Sequence, residues 1–276
     1  MILLNKRPGV TSFQALYPLK REYGTVLGHT GTLDQFAQGL LVVLTGKFTK
    51  FTPFFTDFDK VYEADFTFGR ETTTLDPEGT TVSEGPVPPL ESLLSYANQF
   101  RGVLNQVPPQ YSAVHIDGKR AYQRVRDGES PEIPPRAITV HELDVVRWAN
   151  PVLTLRVHCS KGTYIRSLAR DWGRLAGCGA FVSRLIRHRV GPFSLPEQPQ
   201  VFMDEHETLK ILDIPLLEVR DLDGVSRGLD PLRQSSELMD LPQERAALVD
   251  SAGRLGAVVE RRAGRWSYVF VQAALP

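Results

Sequence analysis

Six consecutive residues, Gly39-Leu40-Leu41-Val42-Val43-Leu44, carry no polar side chain. A run of this kind reads as a buried strand, a rigid base for the loop that leads into it. That loop is Gly28-His29-Thr30-Gly31-Thr32-Leu33-Asp34. Its two glycines let the backbone come close to a ligand. Its one carboxylate, Asp34, stands at the end, presented by the strand rather than merely exposed. Loop aspartates also serve as turn or helix-cap residues, and the loop alone leaves both roles open.

Strands and helices are interspersed along the chain, which places it in the α+β class. Residues 60–68 alternate, with Tyr62, Ala64, Phe66 and Phe68 facing one way and Glu63, Asp65 and Thr67 the other. Thr11 or Ser12 is expected to cap a helix with the apolar stripe Phe13, Leu16 and Leu19. Residues 71–89 are rich in Thr, Gly and Pro and read as a loop, after which Leu90, Leu93, Leu94, Ala97 and Phe100 mark an amphipathic helix. Residues 102–135 hold Pro108-Pro109, Asp117-Gly118 and Pro134-Pro135 and read as a long irregular segment. Such segments are uncommon in compact domains and often functional. This one interleaves Lys119, Arg120, Arg124 and Arg126 with Tyr111 and Tyr122, a mixture suited to phosphate contact plus base stacking.

Two strands are expected at 138–147 and 152–159, joined at Ala149-Asn150-Pro151. Ile165, Leu168, Ala169, Trp172 and Leu175 then form a helical stripe that Gly177 ends. Arg166, Arg170 and Arg174 fall on the opposite face, where Arg170 and Arg174 read as solvated. Residues 181–190 form a further strand whose charges, Arg184, Arg187 and Arg189, are all basic, and 200–213 a helix. Short strands at 245–250, 255–260 and 266–271 predict a small β domain.

The formal charge is zero, but it is unevenly spread: residues 101–190 carry +8 and residues 61–100 carry −6. Of the 32 basic residues, 24 are arginines, whose forks match phosphate better than lysine does. A basic segment on a neutral chain fits a specific anionic partner or an ordinary salt-bridged surface. No stretch approaches the roughly 20 apolar residues of a membrane span, and residues 1–8 lack the order of a signal peptide. Cys159 and Cys178 sit in apolar contexts, as buried thiols of a reducing cytoplasm do. The six histidines form no cluster along the chain, so no metal site is expected.

Five blocks, in order, resemble those of the TruB-type tRNA pseudouridine synthases. They are residues 5–12 (Asn5-Lys6-Arg7-Pro8-Gly9-Val10-Thr11-Ser12), the Gly28–Asp34 loop, Lys60-Val61-Tyr62 through Gly69 with Thr72 to Gly79, Pro108-Pro109-Gln110-Tyr111-Ser112-Ala113 with Gly118-Lys119-Arg120-Ala121-Tyr122, and residues 159–168. The resemblance spans about residues 2 to 193. It implies a pseudouridine-synthase fold with a central mixed, mainly antiparallel sheet flanked by helices, and a small C-terminal PUA-like β module. The implied division is a catalytic domain at 1–222, with an RNA-contacting insertion at about 102–136, and a short module at 223–276. The implied activity is isomerisation of uridine 55 in the TΨC arm of tRNA, by a cytoplasmic monomer without cofactor or metal.

Position by position, the resemblance makes Asp34 the catalytic aspartate, Tyr62 the active-site tyrosine that stacks on the target uracil, and Arg166 the arginine that pairs with the aspartate. His29, Tyr164, Leu185 and Lys6 become substrate-site residues, and Lys119, Arg120, Arg124 and Arg126 become RNA contacts. An arginine beside Asp34 is expected to lower its pKa. The chain departs from the family at Gln35-Phe36-Ala37-Gln38-Gly39, where Pro and then a small residue with Ala-Thr-Gly is usual, and at Asn5, where Asp is common. Its end is short for a PUA domain. Two other readings belong to different classes: an RNA-binding protein that remodels tRNA without chemistry, and a nucleoside hydrolase with one carboxylate.

Overall fold

The computed structural model describes residues 1–116, 118–219 and 221–272. Asp117 of the expected turn and the last four residues of the expected C-terminal module lie outside them. Strand β1 (Ile2–Lys6) leads through helix α1 (Tyr17–Tyr23) to β2 (Leu27–His29) and β3 (Gln38–Thr45). β3 contains the apolar run. β1 pairs one of its edges, and β2 with the strand 180–190 pair the other, so Leu40 to Leu44 are fully buried. Thr11 closes the turn that leads toward α1, its Oγ1 accepting from Gln14 N at 3.1 Å while Gln14 Oε1 accepts from Thr11 N at 2.9 Å, but α1 itself starts at Tyr17 without a side-chain cap. Ser12 bonds elsewhere, and Phe13, at 56% exposure, leaves the expected apolar stripe to Leu16 and Leu19.

Helix α2 (Thr52–Thr56) precedes the alternating strand β4 (Lys60–Phe68). The stretch read as a loop contains a hairpin, β5 (Arg70–Thr72) with β6 (Thr81–Glu84), which its Thr- and Gly-rich composition conceals. After α3 (Leu90–Ser95), the segment read as irregular opens with a true strand, β7 (Gly102–Gln106). It continues through the small hairpin β8 (His115–Ile116) and β9 (Lys119–Arg120) to α4 (Ala121–Arg126). The antiparallel pair β10 (Arg136–Ala149) and β11 (Val152–Cys159) follows, then α5 (Ile165–Leu175) and β12 (Ala180–Val190). β13 (Phe193–Ser194), β14 (Gln200–Phe202) and α6 (Glu205–Ile211) complete this part.

The strands form one ten-stranded sheet in the order β14-β1-β3-β12-β4-β11-β10-β7, with β2 and β13 at its margins. Only β3 and β12 run parallel; the sheet is mixed and mainly antiparallel, as expected. α5 lays Leu168, Ala169 and Trp172 on Phe66, Leu153 and Leu155. The Trp172 indole donates to Leu93 O at 3.0 Å and stacks on Phe100 at 4.8 Å. Arg170 is not solvated: it is 8% exposed, and its Nη2 donates to Val107 O at 2.9 Å because residues 107–111 fold over the helix. Arg174 reaches Glu71 at 2.7 Å.

The C-terminal sheet runs β15 (Leu216–Glu218), β16 (Arg245–Val249), β17 (Leu255–Arg262) and β18 (Arg265–Val271), with α7 (Leu222–Ser226) and α8 (Pro231–Gln234) between its first two strands. Its Ala247, Val258 and Phe270 share one apolar cluster with Leu40, Val42, Phe48 and Phe51, so it is packed on the large sheet.

Gly39 is where β3 and β12 meet. Its φ is +113°, and a Cβ there would lie 2.4 Å from Arg187 O. Gly39→Ala should therefore cost at least about 2 kcal/mol, the sum of backbone strain and overpacking, read as a lower urea midpoint with an unchanged slope.

Candidate active site

Two hydrogen bonds fix the residue before Asp34. Ser12 Oγ donates to Leu33 O at 2.9 Å and accepts from Leu33 N at 2.8 Å. The turn after Asp34 is held from beneath by Lys6, whose ammonium donates to Val10 O at 2.7 Å, Arg7 O at 3.0 Å and Gln35 O at 3.3 Å. Gly9 N adds a bond to Gln35 O at 2.8 Å. The unusual Gln35 is thus anchored through its backbone, and the turn needs no proline. Lys6 is fully enclosed, which pushes its pKa down to about 8. The structure makes it a support of the turn, away from the cavity wall.

Arg166 stands in the first turn of α5 and reaches Asp34 through one hydrogen bond and one close ion-pair contact. Its Nη2 donates to Oδ1 at 3.0 Å, and its Nε lies 2.8 Å from Oδ2. The same guanidinium donates to Asp76 Oδ2 at 3.1 Å, Thr74 O at 2.7 Å and Tyr111 O at 3.0 Å. One buried cation therefore joins the Asp34 loop, the β5–β6 hairpin and the segment after β7. Asp76 is also bonded by Thr74 Oγ1 at 2.5 Å and Glu78 N at 3.0 Å. About a third of the Asp34 side chain (34%) stays open to the cavity. Enclosure by the walls pushes its carboxyl above the usual value, Arg166 opposes this, and Asp76 adds to it. The balance is the reverse of the lowering expected from the arginine alone, because the dehydration of a walled-in carboxylate outweighs one paired charge.

Tyr62 pairs with Val157 on one side and Arg187 on the other, so the three residues share a sheet face. Burial raises the phenol pKa and Arg187 opposes it, which leaves a neutral phenol at pH 7. Arg187 clamps the loop: it donates to Leu40 O at 2.8 Å, Gly31 O at 3.0 Å and Thr32 O at 3.4 Å. Tyr164 is fixed by a reciprocal pair with the Gln106 amide, 2.8 Å to its N and 3.1 Å from its O. The Arg136 guanidinium lies 4.7 Å from its ring centroid. Asp34, Tyr62, Tyr164, Arg166, Leu185 and Arg187 enclose a cavity of about 300 Å³, at the small end of ligand sites. Lys60 also lines it, its pKa lowered by burial to about 8.

The structure brings together Asp34, Tyr62, Tyr164, Arg166 and Leu185, and leaves His29 outside the lining, on β2. Burial, with Arg187 and Arg120 nearby, lowers the His29 pKa and keeps it neutral. Lys119, Arg120, Arg124 and Arg126 lie on the β8–β9–α4 insert, away from the cavity lining. There Lys119 pairs with Asp127, Arg124 with Glu129 at 3.1 Å, and Arg126 lies 5.6 Å from the Tyr122 ring centroid. Two central residues escaped the sequence reading. Arg187 could have been found from its spacing, two residues after Leu185 and on the same strand face. Asp76 lies inside the matched Thr72–Gly79 block, but nothing in its neighbourhood marks it as a partner of Arg166. The expectation that the histidines stay dispersed also fails: strand pairing brings His141 and His158 beside Asp59.

Residues 20–165 match the family description "TruB family pseudouridylate synthase (N terminal domain)". A tRNA pseudouridine synthase B of Borreliella burgdorferi is 45% identical over 200 residues, covering 71% of either chain. One from Corynebacterium efficiens is 36% identical over 286 residues, covering 98% of this chain and 95% of that one. Among solved structures, a chain of a Cbf5-Nop10-Gar1 complex superposes with a TM-score of 0.63 at 20% identity, covering 99% of this chain and 84% of that one. A chain of an H/ACA RNP bound to a substrate RNA containing 2'-deoxyuridine does so with 0.63 at 18% identity, covering 100% and 85%. These two likenesses establish the fold.

The electrostatic balance at Asp34 is testable without any substrate. In wild type, the Asp34 carboxyl should titrate above the ordinary aspartate value of about 3.9. Asp76→Asn removes a charge that raises it, so the Asp34 midpoint should fall, as read by ¹³C NMR of labelled aspartate.

Proposed function

The chain belongs to the TruB family of pseudouridylate synthases, and from that premise we propose that it converts uridine 55 in the TΨC arm of tRNA to pseudouridine. The observation that carries this reading is the Asp34 carboxylate, locked to Arg166 and open on one side to a small cavity walled by Tyr62 and Leu185. The reaction breaks the C1′–N1 bond and makes a C1′–C5 bond. C5 loses a proton and N1 gains one, and no electrons are exchanged. Asp34 faces the electron-poor sugar carbon formed as N1 departs, the position at which a carboxylate stabilises or attacks such a centre. The detached uracil has to be retained while it turns. The Tyr62 ring gives it a flat face, Leu185 and Ile165 give it an apolar wall, and the neutral Tyr62 phenol is placed to relay the C5 proton.

Extruding the target base from its stack costs about a few kcal/mol. The insertion at 102–136 supplies the offsetting contacts through Lys119, Arg120, Arg124 and Arg126, with His29 as a further substrate contact. Residues 1–222 form the catalytic part and 223–276 a PUA-like module, in a monomer acting in the cytoplasm. No helix among the described residues is long and apolar enough to cross a membrane.

Release of tritium from tRNA labelled with [5-³H]uridine tests the reading. Wild type should release it, and tRNA lacking the target uridine should give none. Asp34→Asn should bind tRNA but turn over at least about 10³-fold more slowly. Tight binding of tRNA by wild type without tritium release would favour remodelling without chemistry, and release from free uridine would favour a hydrolase.

A further inference from the structure

The far side of the sheet from Tyr62 carries a second group of side chains. Tyr62 is paired with Val157, so the next residue, His158, points to the opposite face. β10 has a bulge between Val140 and Glu142, which sets both His141 and Glu142 against His158. Bulges re-aim side chains in this way. Asp59 immediately precedes β4 and reaches the same spot. Its Oδ2 lies 3.1 Å from His141 Nε2 and 3.9 Å from His158 Nε2. The two rings are 4.8 Å apart, and one ligand atom from each residue falls within 4.8 Å of the others.

We propose that Asp59, His141 and His158 form a binding site for a divalent transition cation of the zinc class. Two imidazoles and one carboxylate are the donor set such ions take, whereas magnesium and calcium call for oxygen alone. Ligand bonds of roughly 2.0–2.2 Å in a tetrahedron put donor atoms a little over 3 Å apart. The 3.1 Å pair is already near this, and the 3.9 Å pair and the two imidazole nitrogens, within 4.8 Å of each other, close on the ion.

The surroundings of His158 supply a further argument. Glu142 Oε2 lies 4.0 Å from its Nδ1, the side away from Asp59. At that distance the carboxylate makes no hydrogen bond to the ring, but its charge favours a proton on Nδ1 and so a free lone pair on Nε2. The Arg189 guanidinium, 3.4 Å from Nε2, is compatible with the same tautomer. Arg189 is exposed on a long stem and would have to withdraw for a cation to reach Nε2. The bound ion would tie Asp59 to β10 and β11. That would secure the link from α2 to β4, which also carries the Asp57–Lys161 pair at 2.7 Å and places Thr56 and Lys60 at the cavity. The site is structural, on the opposite face from the chemistry.

Titration of chelator-stripped full-length protein with Co²⁺ tests this. Wild type should develop visible ligand-field absorption that saturates at one equivalent and is displaced by Zn²⁺. Asp59→Asn, His141→Gln and His158→Gln should each weaken the midpoint at least tenfold. Zn²⁺ should raise the melting temperature of wild type alone. Circular dichroism and melting in chelator identify any misfolded variant, in which case the remaining ones decide. The proposal is overturned if wild type shows no band in tenfold Co²⁺ excess, or if folded variants bind Co²⁺ as wild type does.

Discussion

Arg166 is the point on which the site closes. Its guanidinium is nearly inaccessible, and it faces two carboxylates, Asp34 and Asp76, together with two backbone carbonyls. Removing one member of a buried ion group leaves the others charged and dry, at a cost of about 3–5 kcal/mol. The three segments that meet there are far apart in sequence, and this cation bonds to each of them. It also sets the chemistry. Asp34 is partly walled in, and the arginine holds its carboxylate in one orientation, so in the proposed reaction it would need little reorganisation.

The other buried cations repeat this device on the backbone. Lys6 and Arg187 each satisfy three carbonyls, and Lys60 satisfies two. Loops whose carbonyls point inward need such donors, since a buried acceptor without a partner is costly. The result is a loop system whose inward-pointing carbonyls are held by these side-chain donors. Because Lys6 holds Gln35 through its backbone, the side chain after Asp34 is free to differ from the family's usual proline.

The parts legible in the sequence were those with a strong local pattern. The apolar run of β3, the alternation of β4 and the stripe of α5 each announced an element, and β4 and α5 delivered Tyr62 and Arg166 to the cavity that Asp34 enters. What escaped depends on contacts between distant segments. The β5–β6 hairpin has no apolar alternation because its strands are short and β6 is wholly exposed. Arg170 carries the spacing of a solvated face and is buried only because residues 107–111 cross it. His141 and His158 look unrelated until β10 and β11 pair and a bulge turns one toward the other.

The central claim is that Arg166 acts by positioning the Asp34 carboxylate rather than by binding tRNA. Its most direct test compares the single-turnover rate and the tRNA affinity of Arg166→Lys, which keeps the charge but loses the planar guanidinium and its spread of donors. The account predicts a rate at least about a hundredfold below wild type, with tRNA affinity nearly unchanged. A rate close to wild type, or a loss confined to affinity, would contradict it.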